Sequence, residues 1–87
     1  MLFMDTWTWK PENRDEVEKR AAEWKCPEGI KEHGYWIDLT GNRLFFLYEV
    51  DDPKVILAAN EIWTDIAEVD SVPVMEMEEV MKLISQE

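Results

Sequence analysis

Both faces of the strands this sequence predicts are apolar. In Arg43 to Val50, Phe45 and Leu47 alternate with Leu44, Phe46 and Tyr48, so neither side of the strand is polar. An antiparallel sheet with helices on one side should alternate apolar residues inward with polar residues outward. A chain of 87 residues makes one domain, residues 1–87, with enough helix to cover a single face. The second face must then meet a second subunit, a ligand, or both.

Composition narrows the classes. Five Trp, five Met, three Phe and two Tyr are a heavy apolar load for a small monomer, which favours association and argues against disorder. Twenty acidic residues against nine basic ones give a formal charge of −11. That balance repels a phosphate backbone, and the only adjacent basic pair, Lys19-Arg20, lies among glutamates. Nucleic acid is therefore an unsuitable partner. Cys26 is the only cysteine, so an internal disulfide and a cysteine-based zinc cluster are both excluded. It precedes Pro27 in a predicted loop and reads as an inert thiol. No run approaches the ~18 apolar residues of a membrane span, and Met1 to Met4 lacks the basic start of a signal peptide. Cytoplasmic residence, with no membrane partner, is the default expectation.

Periodicity predicts the order β-α-β-β-α-β followed by a helix. Met1 to Trp9 reads as a strand, and Asn13 with Glu16 forms an expected capping box for the first helix. Ile30 to Thr40 and Arg43 to Val50 form a hairpin closed by a two-residue turn at Gly41-Asn42. Asp52 caps a second helix with Pro53 in its first position. A last strand spans about Glu68 to Met75, where Pro73 marks an edge or a strand end. Glu76 to Ser85 is a third helix with Met77, Val80, Met81 and Ile84 on one side. This is the split βαβ pattern, so the fold class is α+β: a ferredoxin-like four-stranded antiparallel sheet with two helices on one face. The turn places Thr40 opposite Arg43. Leu39, Ile37 and Tyr35 then share the helix-facing side with Leu44, Phe46 and Tyr48. Asp38, Trp36 and Gly34 share the open side with Arg43, Phe45, Leu47 and Glu49.

The segments Phe3-Met4-Asp5-Thr6-Trp7-Thr8-Trp9, Pro11 to Val17, Pro27-Glu28-Gly29-Ile30-Lys31, Trp36 to Gly41, Glu49-Val50-Asp51-Asp52-Pro53 and Val72-Pro73-Val74 carry a resemblance over nearly the whole chain. Together they resemble a family of short proteins known only as a domain of unknown function and placed with the dimeric α/β barrels. The resemblance implies the ferredoxin-like fold and a homodimer, without an activity. Monooxygenases of the antibiotic-biosynthesis type, muconolactone isomerase-like proteins, haem-handling enzymes and stress-responsive barrels share that superfamily. Their sites usually lie between sheet and helices or inside the barrel, and none of their catalytic motifs transfers here. Asp5 stands where an aliphatic residue is expected in the first strand.

Candidate site residues follow from the open face. Trp36, Phe45, Arg43 and Glu49 would line a small-molecule site there, with Trp36 stacking a planar ligand. Glu49, Asp38 and His33 are the candidate proton-transfer groups. Each has a structural alternative: Arg43 or Lys31 neutralising an acid at a subunit interface, and His33 as a strand-end residue on the helix-facing side. Trp7 and Trp9 alternate with Thr6 and Thr8, and such a pair more often serves core or dimer contact than ligand stacking. The single histidine, the missing cysteine cluster and three isolated glycines point to no metal, no phosphate loop and no cofactor. Two functions stay open. One is a dimeric binding or structural protein without catalysis. The other is a cofactor-independent monooxygenase- or isomerase-like enzyme acting on a small aromatic or quinone-like molecule.

Overall fold

Strand β1 (Leu2–Thr8) leads through a single 3-10 turn (Pro11–Asn13) into helix α1 (Arg14–Ala22). Strands β2 (Ile30–Ile37) and β3 (Arg43–Val50) follow, then α2 (Lys54–Glu61), β4 (Glu68–Pro73) and α3 (Met77–Ser85). The computed structural model describes residues 1–85. The four strands form one antiparallel sheet in the order β2-β3-β1-β4, as a ferredoxin-like fold requires. Pro73 ends the edge strand β4, where its missing N–H costs no ladder hydrogen bond.

The two sides of the sheet separate by parity, as the alternation predicts. Phe46, Tyr48 and Val50 of β3 are buried and form the core, with Phe3, Ile30, Leu44, Val55 and Ile56 packed against them. Val55 and Ile56 lie on α2, and Val17 is the buried residue of α1, so this side faces the helices. Phe46 stacks between Tyr35 (4.2 Å between centroids) and Tyr48 (4.6 Å), and Phe3 lies 5.8 Å beyond Tyr48. The opposite side carries Leu2, Met4 and Thr6 beside Glu49, Leu47 and Phe45 in direct register. It is uncovered, and Trp36 on it is 53% exposed.

The hairpin departs from the expected register by two residues. Ile37 pairs with Leu44 and Trp36 with Phe45, which leaves a five-residue loop, 38–42, in place of the two-residue turn. The loop has its own closure: Asp38 N–H donates to the Arg43 carbonyl (2.8 Å), Gly41 N–H to the Asp38 carbonyl (2.8 Å), and Thr40 N–H to Asp38 Oδ1 (2.8 Å). An aspartate that bonds the backbone two residues on makes this turn more favourable than two further ladder pairs. A shift of two preserves every facing, so the separation of sides survives although Leu39 leaves the sheet and is fully exposed. His33 changes sides. Glu32 pairs with Tyr48 and Gly34 with Leu47, so His33 sits at a bulge. Its imidazole reaches Glu49 on the uncovered side (Nε2 to Oε1 3.6 Å), in contrast to the expected helix-facing position.

The expected capping box on α1 does not form. Asn13 closes the 3-10 turn, and its Nδ2 donates across the molecule to the Ile66 carbonyl at 3.2 Å. At α2, Asp52 Oδ1 accepts the Lys54 N–H at 3.0 Å, so Asp52 does serve the helix start, with Pro53 just ahead of Lys54. Two arginines on α1 hold the layers together. Arg20 forks onto Asp65 (2.8 and 2.7 Å), donates to the Ile62 carbonyl (2.9 Å) and meets Glu16 (3.1 Å). Arg14 donates to the Thr40 carbonyl (3.0 Å) and to Asn42 Oδ1 (2.8 Å).

Gly41 has a φ of 79°, and a Cβ there would stand 3.3 Å from Arg14 Nη2. Gly41→Ala should therefore lower stability by about 1 kcal/mol, the cost of a side chain in the left-handed region. Urea unfolding should show a reduced midpoint at unchanged slope; an unchanged midpoint would mean that the loop does not constrain the hairpin.

Candidate functional site

Between the helices and the sheet lies a cavity of about 370 Å³, within the range of small-molecule sites. Its walls are aromatic. Trp7 and Trp9 come from the first strand and its end, Trp24 from the end of α1, and Trp63 from the turn after α2; Tyr35, Phe46 and Tyr48 come from the sheet. Trp63 meets both Trp7 (6.2 Å) and Trp24 (5.9 Å) edge-on, and Trp24 Nε1 lies 3.4 Å from the Tyr35 hydroxyl. These large rings hold the helix layer off the sheet. Within α1 and α2 themselves the lining side chains are small or modest, such as Ala21, Ala59, Ile56 and Asn60, which leaves the space unfilled.

Asp5 forms the floor. The parity of β1 turns it inward between Phe3 and Trp7, and it is 2% exposed. A carboxyl can be buried there because donors converge on it. Tyr48 Oη donates to Oδ1 at 2.8 Å and Trp7 Nε1 to Oδ2 at 3.3 Å. Burial raises the Asp5 carboxyl above its ordinary value of 3.8, and the hydrogen bonds counteract this in part. Ser71, opposite Asp5 on β4, gives the largest of these downward pulls by its proximity, although its hydroxyl makes no well-formed hydrogen bond. Tyr48 is raised as well, by burial and by the bond it makes to Asp5.

The rim is formed by Glu32 and Tyr35 of the edge strand β2, both exposed, with Cys26 beside them. Burial, with Glu32 nearby, pushes the Cys26 thiol up to about 11, which makes it a poor nucleophile at neutral pH. Its Sγ lies 3.9 Å from the Ile30 carbonyl. Tyr35 is raised by burial and by Glu32. Trp9 Nε1 is buried without an acceptor.

The residues expected to line a site on the uncovered side divide into two ends of the sheet. Trp36 and Phe45 are direct neighbours across β2 and β3, and the Trp36 indole lies back over Gly34, where a Cβ would come within 2.5 Å of the ring. Arg43 pairs with Asp38 at 3.8 Å, and Asp38 belongs to the loop, lowered below its ordinary value by the Thr40 hydrogen bond. Glu49 lies at the far end of β3 with His33. Six residues of strand put Glu49 roughly 20 Å from Arg43, so Glu49 and Asp38 do not meet within one chain. Among the described residues no group of three or more His, Cys, Asp or Glu is placed to hold a metal, and no helix is long and apolar enough to cross a membrane.

The Asp5–Tyr48 pair makes two predictions. Tyr48→Phe removes a buried donor from a carboxyl and should cost about 1–3 kcal/mol. Because the folded-state value of Asp5 is raised, the native state holds this proton more tightly than the unfolded chain. The associated stability is present at low pH and is lost as pH rises from 3.8 through the raised value. Melting temperatures of the wild type relative to Asp5→Asn should therefore fall across that window; a flat difference would contradict the burial of the carboxyl.

Comparison with solved structures finds the crystal structure of SCO4226 from Streptomyces coelicolor A3(2), similar at a TM-score of 0.50 and 16% identity over 87% of this chain and all of that one. The likeness supports the α+β ferredoxin-like architecture alone. No curated protein matches the sequence. The family comparison matches residues 1–87, which is consistent with the whole-chain resemblance seen in the sequence. The chain belongs to the family described as domain of unknown function DUF3303.

Proposed function

We propose that this protein is a small-molecule binding protein without catalysis of its own, which holds a flat, largely apolar molecule between its helices and its sheet. The observation that carries this reading is the cavity of about 370 Å³ walled by four of the five tryptophans. Aromatic rings at this density would normally fill a core. Here they enclose space next to a buried, unpaired indole N–H, Trp9 Nε1. Such a donor costs about 1–3 kcal/mol when left unmade, and an acceptor atom on a ligand would relieve that cost.

The uncovered sheet side gives the second half of the proposal, a homodimer. Trp36, Phe45, Leu47, Met4 and Val72 form an apolar strip on it, edged by the Arg43–Asp38 and His33–Glu49 pairs. An identical strip on a second chain would cover this one, with the charged pairs at its rim. On this reading Trp36, Phe45, Arg43 and Glu49 act at the subunit interface.

A second reading rests on Asp5. A carboxyl raised by burial inside an aromatic cavity, hydrogen-bonded to a tyrosine, has the properties of a proton-transfer group. An isomerase-like proton shift would use these two residues; the pair Glu49 and Asp38 is too widely separated within the chain.

Tryptophan fluorescence tests the binding reading directly, because only Trp36 lies away from the cavity. An apolar dye should quench the wild type and raise its melting temperature. Ala59→Phe, which fills the space from α2, should abolish both effects while circular dichroism stays native. Unchanged dye binding in this variant would overturn the assignment of the site. Light scattering of the dilute wild type should give the mass of two chains, and Phe45→Glu should give one folded chain. A monomeric wild type would remove the dimer.

A further inference from the structure

We propose that the ligand of the helix–sheet cavity is an organic cation, an aromatic ammonium compound that also carries an acceptor atom for Trp9 Nε1, held by the Asp5 and Glu32 carboxyls and by the surrounding indoles. The inference rests on the binding reading above and specifies the chemistry of its ligand.

Three observations lead there. Among the described residues, the only charged side chains in the cavity wall are Asp5 on the floor and Glu32 on the rim; no lysine, arginine or histidine lines it. An anionic ligand would find two like charges and no counter-charge, a cost that grows as water is excluded. The nearby arginines of α1 are already engaged and cannot turn inward without loss. Arg20 is forked onto Asp65 and bonded to Glu16, and Arg14 is tied to Thr40 and Asn42.

The second observation is the arrangement of rings. Trp7, Trp24 and Trp63 meet edge-on at 63°. In that arrangement a ring presents its edge to one neighbour and its negative face elsewhere. Trp7 turns its N–H edge to the Asp5 carboxyl, while Trp24 and Trp63 line the same cavity, and an indole face there would add to what a carboxyl offers a cation. The third observation is the balance at Asp5. Its oxygens accept from Tyr48 and Trp7, two neutral donors, and among the described residues no ion pair reaches it. A ligand cation would supply the missing charge and favour the ionised carboxyl. The overall charge of −11 acts in the same direction by drawing cations toward the protein.

Three probes of one shape test this: benzylammonium, benzyl alcohol and benzoate, titrated into the intact protein and followed by tryptophan fluorescence at 0.3 M salt to screen the general charge. The proposal expects benzylammonium to bind at least tenfold more tightly than benzyl alcohol, and benzoate not to bind. Glu32→Gln, at an exposed rim position that should not affect folding, should reduce that preference several-fold. Glu78→Gln on α3, outside the cavity wall, should leave the preference intact. Equal binding of benzylammonium and benzyl alcohol, or equal loss of preference in both variants, would overturn the cation inference and leave the binding site standing. Failure of all three probes to bind would overturn both.

Discussion

The buried hydrogen bond between Asp5 and Tyr48 is the constraint from which the rest of the structure follows. A carboxyl 2% exposed on the inward side of β1 cannot be tolerated without donors, and the donors fix their surroundings. Tyr48 must hold its ring along the sheet to reach Asp5, so it stacks with Phe46, which in turn stacks with Tyr35. Trp7 must turn its indole N–H back to the carboxyl, which sets its edge against Trp63. One polar group therefore orders a layer of rings on the helix side of the sheet, and helices laid on such a layer meet a rigid, uneven surface. The cavity is what their small side chains leave unfilled.

The two sides of the sheet are consequently different in kind. The helix side buries its polar groups, Asp5 and Tyr48 in a hydrogen bond and Trp9 Nε1 without an acceptor, and the charges of its cavity wall are carboxyls. The uncovered side carries the Arg43–Asp38 and His33–Glu49 pairs toward the two ends of β3, its apolar groups, Trp36 and Phe45 among them, between these, and the carboxylates Glu68 and Asp70 along the edge strand β4. The first arrangement suits a molecule small enough to be enclosed, and the second suits a flat protein surface. The same division applies to the three arginines. Arg14 and Arg20 bind the helix layer together, and Arg43 serves the hairpin loop, so none is left for the cavity.

Much of this was legible in the sequence because strand facing depends only on parity. Leu44, Phe46 and Tyr48 belong to one side at any even register, so a hairpin displaced by two residues still separates the sides correctly. What parity cannot show is an extra residue. The bulge at His33 reverses the facing of the β2 residues ahead of it, which turns Ile30 and Glu32 toward the helices and Lys31 away from them, and its neighbour Gly34, a residue that often marks bulges, was the available signal. The five-residue loop was hidden for a related reason: Gly41-Asn42 satisfies a two-residue turn, and the competing Asp38 bonds become visible only once the chain has folded around them.

The cavity was harder to read. Asp5 was visible as a charge where an aliphatic residue was expected, but its partner Tyr48 is 43 residues away and reads in sequence as ordinary core. Trp7 and Trp9, Trp24, and Trp63 lie in three separate segments, and nothing in the linear pattern distinguishes a filled aromatic core from one that stands open. Volume is a property of how layers meet, whereas periodicity reports only which side of each element is apolar.

The most direct test of this account is the titration of Asp5 itself, followed through its side-chain carboxyl carbon by NMR. The account predicts a midpoint above 3.8 in the free protein, and a downward shift on saturation with benzylammonium. A midpoint at or below 3.8, unmoved by the amine, would place this carboxyl in water and contradict the site built around it.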